Sequence, residues 1–584
     1  MPRSFPEGVC SRLSEHLEFL YGPTRARGVL ERLIVRLKGF VRGEGVRPRP
    51  SLSERTSILI TYGDQVSEPG APPLHTLGDV LEETVSGLIT DVHILPFFPY
   101  SSDDGFSVID YEAVDPKLGD WSDIHRLTGR FGLMADLVIN HVSAQSPWFQ
   151  GFLRGEPGFS DFFITVEEGT DLSNVVRPRA LPLLTPVKTN RGEKLVWTTF
   201  SSDQIDLNYA NPEVLLRMID VLLFYVRQGV TLIRLDAVAF LWKRIGSACV
   251  HCEETHRIVK LMRGVLDAVA PDVLLITETN VPHGENIGYF GSGTDEAQLV
   301  YQFPLPPLVV DAFQRGDATS LSRWAATLAP PPGNATFFNF LASHDGIGLR
   351  PLKGLLEPAH VEAMVERTVA HGGCVSFWRD SDGIQSAYEL NISFFDALSD
   401  PRGCEPIDLQ VRKFLTAQAI MVSLAGVPGI YFHSLFGSRS WLRGVEERGE
   451  NRAINREKLT KKRLLDELHD VDSLRAKVFG GYRKLLETRN SCAAFSPHAP
   501  QRVLAISPHV FAVLRGGADQ PSILCLHNVS GEGVLVRLDR DIAERFNSPL
   551  VDLLRGEGSP ESESEVGFVP LCPYGTVWLT EASA

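Results

Sequence analysis

Thr231-Leu-Ile-Arg-Leu-Asp236 is an apolar run broken only by two charged residues, Arg234 and Asp236. Residues two apart on an extended strand point to the same side. A strand so apolar elsewhere has to be covered on both faces. On either side of it, Glu213–Gln228 and Thr255–Ala268 repeat Leu, Ile, Val or Met at spacings of three and four, the mark of helices with one buried face. A second apolar run, Val273–Glu278, follows and again ends in an acid. This alternation predicts βα units and a parallel sheet.

Working outward, the same pattern yields further runs at Ser57–Tyr62, Asp91–Pro96, Gly132–Asn140, Gln298–Phe303, Thr336–Ser343 and Gly426–His433. With the first two, they predict an α/β fold: a closed (β/α)8 TIM barrel spanning 56–141 and 203–490. Two connections exceed the roughly 2–6 residues of an ordinary strand–helix loop. Residues 142–202 are therefore read as an inserted domain after strand 3. Residues 346–408, rich in Gly and polar residues and containing Asp380-Ser-Asp-Gly, are read as a mobile lid or loop region within the barrel. Arg475–Arg489 reads as the last helix of the barrel. Beyond Cys492 the β-type segments Arg502–Ile506, Val510–Leu514, Ser522–His527, Gly533–Leu538 and Thr576–Leu579 predict a small antiparallel β C-terminal domain over 491–584. Residues 1–55 form a partly helical N-terminal extension, with amphipathic segments at Ser11–Tyr21 and Thr24–Val41.

Composition narrows the function. The 584 residues are 43% hydrophobic and 22% charged, the balance of a soluble globular protein. The net charge of −15 argues against nucleic acid or an anionic membrane as partner. No signal-like or membrane-spanning run is evident, so a cytoplasmic location is expected. The eight cysteines are scattered. Cys249-Val-His-Cys252 lacks the second pair a structural zinc site needs, so they are read as reduced thiols. The oligomeric state stays open, a homodimer being one option.

In such a barrel the active site lies at the carboxyl ends of the strands. The polar residues there are Asp103 and Phe106 past the second strand, Asn140 and His141 ending the third, and Arg234 and Asp236 ending the fourth. Glu278 ends the fifth and His344-Asp345 the seventh. Cleaving a glycosidic bond with retention needs a carboxylate nucleophile and a carboxylic acid roughly 5–5.5 Å apart. Neighbouring strands lie about 4.8 Å apart, so Asp236 and Glu278 can supply the pair. Asp345 is suited to stabilising positive charge. Arg234 is expected to keep Asp236 ionised, while Glu278 must hold a proton and its pKa is expected to be raised.

At these residues the sequence resembles the α-amylase superfamily. The matching motifs are Asp136-Leu-Val-Ile-Asn-His141, Ile233-Arg-Leu-Asp236-Ala-Val, Ile276-Thr-Glu278 and Phe340-Leu-Ala-Ser-His344-Asp345. The resemblance implies Asp236 as nucleophile, Glu278 as acid/base, Asp345 as transition-state stabiliser, and His141, Arg234 and His344 as holders of the glucosyl ring. Within the superfamily the chain is similar to the sucrose-phosphorylase branch from about 56 to 490, through Leu95-Pro-Phe-Phe-Pro-Tyr-Ser-Ser-Asp-Asp-Gly-Phe106, Arg177-Pro-Arg179, Leu195-Val-Trp-Thr-Thr-Phe200 and Arg452-Ala-Ile-Asn-Arg456. By that resemblance Asp103 and Arg452 hold the ring, Phe106 contacts it or the acceptor, and Arg179 and Tyr388 approach phosphate.

Tyr388-Glu389-Leu-Asn391 departs from the Tyr-Gln pair common in sucrose phosphorylases and is similar to the glucosylglycerate phosphorylases of the branch. The resemblance implies a retaining phosphorylase acting on 2-O-α-glucosyl-D-glycerate and phosphate, small molecules both. Sucrose and sucrose 6-phosphate phosphorylases, an α-glucosidase and a non-catalytic carbohydrate-binding barrel are the alternatives. Glu389 would repel a glycerate carboxylate unless reoriented or paired with a cation. No cofactor is implied, phosphate being a co-substrate. Asn140 matches a calcium-binding position of many amylases, but without a cluster of oxygen ligands no metal is expected.

Overall fold

The computed structural model describes residues 5, 8–43, 48–179, 181–379, 385–517, 522–538, 542, 546, 550–555, 563–564 and 567–581. Eight parallel strands close into a barrel: β1 (Ile58–Thr61), β2 (Asp91–Ile94), β3 (Gly132–Val138), β4 (Val230–Asp236), β5 (Leu274–Thr277), β6 (Leu299–Tyr301), β7 (Thr336–Phe340) and β8 (Val427–Tyr431). Each of the eight apolar runs holds one strand. Almost every strand residue is buried, because side chains fill the barrel on one face and helices cover the other.

Register positions the chemistry. Arg234 of β4 lies level with Asp136 of β3 and Ile276 of β5, and Leu235 lies level with Thr277. One step further, Asp236 and Glu278 emerge side by side at the carboxyl end, where the Glu278 amide donates to the Leu235 carbonyl at 3.2 Å.

The two N-terminal segments are halves of one helix, α1 (Val9–Gly39), bent where Gly22 leaves helical geometry (φ 74°, ψ 158°) just before Pro23. It packs outside the barrel on α2 (Pro212–Arg227) and α3 (Glu253–Val269). Asn211 caps α2 by accepting from the Glu213 amide, and Pro212 opens its first turn. Leu13 of α1 seats over Gly264 of α3, where an added Cβ would lie 3.1 Å from it. Arg36 pairs with Asp220 at 2.7 Å and Arg257 with Glu15 at 3.2 Å, fixing the helix from both sides.

Between β3 and α2, strands His141–Ser143 and Gln204–Asp206 pair antiparallel and tie together the ends of a segment holding helix Pro147–Arg154 and a three-stranded antiparallel sheet. Pro147 and the Ser146 cap start that helix.

The loop expected over 346–408 is largely regular structure instead. It contains helix Pro358–Ala370 and an antiparallel sheet of Ile347–Gly348, Gln385–Asn391 and Cys374–Arg379. Pro358 fits the first turn of a helix, and aromatic Phe377 and Trp378 with Val375 suit a strand, which outweighs the Gly and polar content. Residues 380–384 lie outside the described ones.

After helix Leu474–Asn490, a six-stranded sheet runs in the order Gln501–Ser507, Val510–Arg515, Ile523–Asn528, Thr576–Glu581, Leu550–Asp552, Glu563–Ser564, beside the pair Val534–Arg537 and Phe568–Leu571. Among the described residues no helix is long and apolar enough to cross a membrane.

Candidate active site

All twelve residues singled out from the sequence line one pocket at the carboxyl end of the barrel: Asp103, Phe106, His141, Arg179, Arg234, Asp236, Glu278, His344, Asp345, Tyr388, Glu389 and Arg452. At its floor lies Arg234, only 3% exposed. Its Nη1 pairs with Asp136 across β3 and with Asp236 Oδ1 at 2.9 Å, and its Nη2 stands 3.9 Å from Glu278 Oε2. His93 Nε2 completes the hold on Asp136 at 2.7 Å. One guanidinium thus faces both carboxyls that terminate β4 and β5.

Behind Asp236 the chain turns at once. Ala237 adopts the left-handed conformation (φ 52°, ψ 30°), a strained setting for a residue with a Cβ, worth about 1 kcal/mol or more. The turn aims the Ala237 amide at Glu278 Oε2, 3.1 Å away.

Burial is the main push on both acids. It raises Asp236 to about 8, with Arg234 opposing and the Glu278 charge adding to the rise. Glu278 is raised by burial, against Arg234 and with Asp345 adding. The sequence led us to expect Arg234 to keep Asp236 in the ordinary carboxylate range; it does not, because burial outweighs the Arg234 charge. Two facing carboxyls of this kind hold one proton between them. Arg234 donates to Asp236 and stands off from Glu278, so the negative charge is best placed on Asp236 and the proton on Glu278.

The opposite wall carries Asp345, whose Oδ1 lies 2.6 Å from Arg452 Nη1 and 3.6 Å from Arg456 Nη2. Burial opposes ionisation, but Arg452, His344 and Arg456 hold this carboxyl far below the usual range. Arg452 also grips Glu389 through Nε at 3.1 Å and Nη2 at 2.7 Å. Glu389 is buried and neutralised by a bidentate pair, which removes the repulsion anticipated from its sequence position.

Asp103 and Asp104 both take positive φ (55° and 46°), which splits their side chains between two sets of arginines. Asp103 accepts from Arg179 at 3.2 Å and Gln204 at 3.3 Å; Asp104 accepts from Arg456 at 2.8 Å. Burial would raise Asp103, but Arg179, Arg452 and Arg456 outweigh it and hold it at about 2. Phe106 stacks on His344 (centroids 4.9 Å, 7°), whose imidazole burial drives down to about 3 and so keeps neutral. His141 meets the Phe106 carbonyl at 2.9 Å and is likewise lowered by burial. Asn140 accepts from the Lys243 ammonium at 2.9 Å, and Lys243 pairs with the buried Asp206 at 2.7 Å, so a protein cation sits between these two side chains.

Several residues in and beneath the pocket escaped the sequence reading. Asp136 stood in a quoted motif without a role, although an acid inside an apolar strand signals a buried partner. Gln204, which ties Asp103 to His141, and Phe200, whose ring lies under Arg179 at 5.6 Å, come from the end of the insertion. Asn280 and Arg350 also line the pocket. Nothing in their spacing marked them.

The pocket thus sets paired charges and aromatic faces around a carboxylate and a carboxylic acid side by side. The barrel and these carboxyls define a glycoside-active barrel of the α-amylase type. Residues 87–345 match the α-amylase catalytic domain. The chain is 56% identical to the glucosylglycerate phosphorylase of Allomeiothermus silvanus, over 88% of this chain and 92% of that one, and 45% identical to the glucosylglycerate phosphorylase of Escherichia coli, over 89% and 93%. The crystal structure of sucrose 6F-phosphate phosphorylase from Thermoanaerobacter thermosaccharolyticum superposes with a TM-score of 0.72 at 26% identity, covering 86% of this chain and 99% of that one. The chain belongs to the glucosylglycerate phosphorylase family.

Proposed function

We propose that the protein converts 2-O-α-glucosyl-D-glycerate and phosphate to α-D-glucose 1-phosphate and D-glycerate by double displacement with net retention. Asp236 attacks the anomeric carbon while Glu278 gives its proton to the glycosidic oxygen, so that D-glycerate departs and a β-glucosyl ester on Asp236 remains. Phosphate then enters, Glu278 takes a proton from it, and a phosphate oxygen displaces Asp236. The second inversion restores the α configuration. Asp345, held ionised by Arg452 and Arg456, stabilises the positive charge that develops on the ring. Asp103, His141, His344 and Arg452 hold sugar hydroxyls. Arg179 and Tyr388 face incoming phosphate. The chemistry asks for no cofactor.

The observation that supports this reading best is the position of Arg234, 2.9 Å from one of two adjacent strand-end carboxyls and 3.9 Å from the other. It favours the division into nucleophile and acid that retention requires. The 56% identity over most of both chains supports the choice of substrate.

The test is phosphate release from α-glucose 1-phosphate by the purified protein with D-glycerate, fructose, fructose 6-phosphate, glycerol or no acceptor. Strong release with D-glycerate alone is expected. Release with fructose at equal rate moves the substrate, and full release without acceptor turns the protein into a hydrolase.

A further inference from the structure

Four arginines line the pocket: Arg179, Arg234, Arg350 and Arg452. Three are already neutralised by carboxylates of the same pocket: Arg179 by Asp103, Arg234 by Asp236, and Arg452 by Asp345 and Glu389. Arg350 differs. Among the described residues no carboxylate lies within 4.0 Å of its guanidinium, and the acid that acts on it most, Glu285, is paired at 3.3 Å with His251.

Its place along the pocket is set by the chain. From Glu278 the backbone runs two residues to Asn280, whose amide lies directly on Gly348; a Cβ on Gly348 would sit 2.7 Å from Asn280 Nδ2. Arg350 follows Gly348 by two residues, in the short 3-10 turn Arg350–Leu352. Arg350 and Asn280 both line the pocket, on a wall where two loops meet at Gly348. The acid protonates the departing oxygen, so the leaving group lies on its side of the sugar. The Asn280 Oδ1 is buried and has no hydrogen-bond partner among the described residues. That wall thus offers an unneutralised guanidinium and an uncommitted amide oxygen, which match the carboxylate and a hydroxyl of a small hydroxy acid.

Resting on the function proposed above, we infer that Arg350 seats the carboxylate of the departing or accepting glycerate and is the residue that makes the site prefer an acid to a neutral polyol. The Arg350 side chain is solvent-accessible where it lines the pocket, so an entering anion can reach its guanidinium. Arg179, already bound to Asp103, can be shared with phosphate.

The experiment loads the enzyme from α-glucosyl fluoride, whose leaving group has no carboxylate or phosphate, and compares transfer to D-glycerate, glycerol and inorganic phosphate. If the unaltered protein fails to transfer to D-glycerate, the function proposed above falls. If it does transfer, the inference is tested by Arg350→Gln. The ratio of kcat/KM for D-glycerate to that for glycerol should drop about 10- to 100-fold, the worth of a charge-assisted contact, mostly through KM, and Arg350→Lys should recover part of it. An unchanged ratio in Arg350→Gln overturns the inference. So does an equal loss with inorganic phosphate, which would make Arg350 a common anion seat.

Discussion

The two sides of the pocket spend charge differently. On the wall proposed for the sugar, each of Asp103, Asp236, Asp345 and Glu389 is held by an arginine, and the arginines are held in return. On the wall proposed for the acceptor, the Asn280 oxygen has no hydrogen-bond partner and Arg350 no carboxylate within 4.0 Å among the described residues. A neutral glucosyl ring needs fixed dipoles that do not reorganise, which a closed network provides. An anionic acceptor needs a cation still free to act. On the proposed reading, pairing prepares one half of the site for a transition state and leaves the other half selective.

The largest effect should come from removing the charge at the centre of the paired side. Asp236→Ala is expected to lower turnover by about 10⁴-fold or more while leaving the circular dichroism spectrum intact; wild-type-like turnover would mean that the network is not the reacting side. Glu278→Gln should cost about 10²- to 10⁴-fold with glucosylglycerate and much less with α-glucosyl fluoride, which needs no protonation. Equal loss with both donors would deny Glu278 the acid role.

Lys243→Met probes whether the network is also structural. It strands the buried Asp206 carboxylate, and denaturant unfolding should register about 3–5 kcal/mol of lost stability. Glu389→Gln releases one of the two partners of Arg452, so the sugar side acquires a loosened arginine. A rise of about tenfold in KM for glucosylglycerate, with a smaller change in kcat, is expected. No change would show that Asp345 alone holds Arg452.

The mildest perturbation is pH. A carboxyl raised by burial keeps its proton as pH climbs past the usual value of about 4. The Asp236–Glu278 pair, its single proton placed on Glu278, yields that proton only well above the usual range, since burial raises Asp236 to about 8 and raises Glu278 too. Activity that needs one proton on the Asp236–Glu278 pair should therefore persist through neutrality and fall on the alkaline side near pH 8. A kcat/KM profile that falls instead near 4–5 would show that the pair does not hold its proton.

Strands and their charged ends were legible because a barrel strand is a short apolar run with a polar terminus, and both signals are local. Asp236 and Glu278 could be paired from strand spacing alone. Arg350 and Asn280 were not legible, since their meaning depends on Gly348 bringing two loops together and on which arginines are already occupied. The 346–408 segment misled for a related reason: its Gly and polar residues are local features, whereas the sheet formed by Cys374–Arg379 and Gln385–Asn391 depends on long-range pairing. Glu389 showed the same limit, as its charge was plain and its partner, 63 residues away, was not.

Helix α1 has a consequence for how the chain comes into being. Its partners lie far downstream: Arg32 meets Glu213 across 181 residues and Arg257 meets Glu15 across 242. During vectorial synthesis its apolar stripe, including Leu13, Leu17 and Leu33, waits uncovered until α2 and α3 have left the ribosome. For that interval the apolar stripe stays exposed on the nascent chain, the kind of surface that promotes aggregation until it is covered.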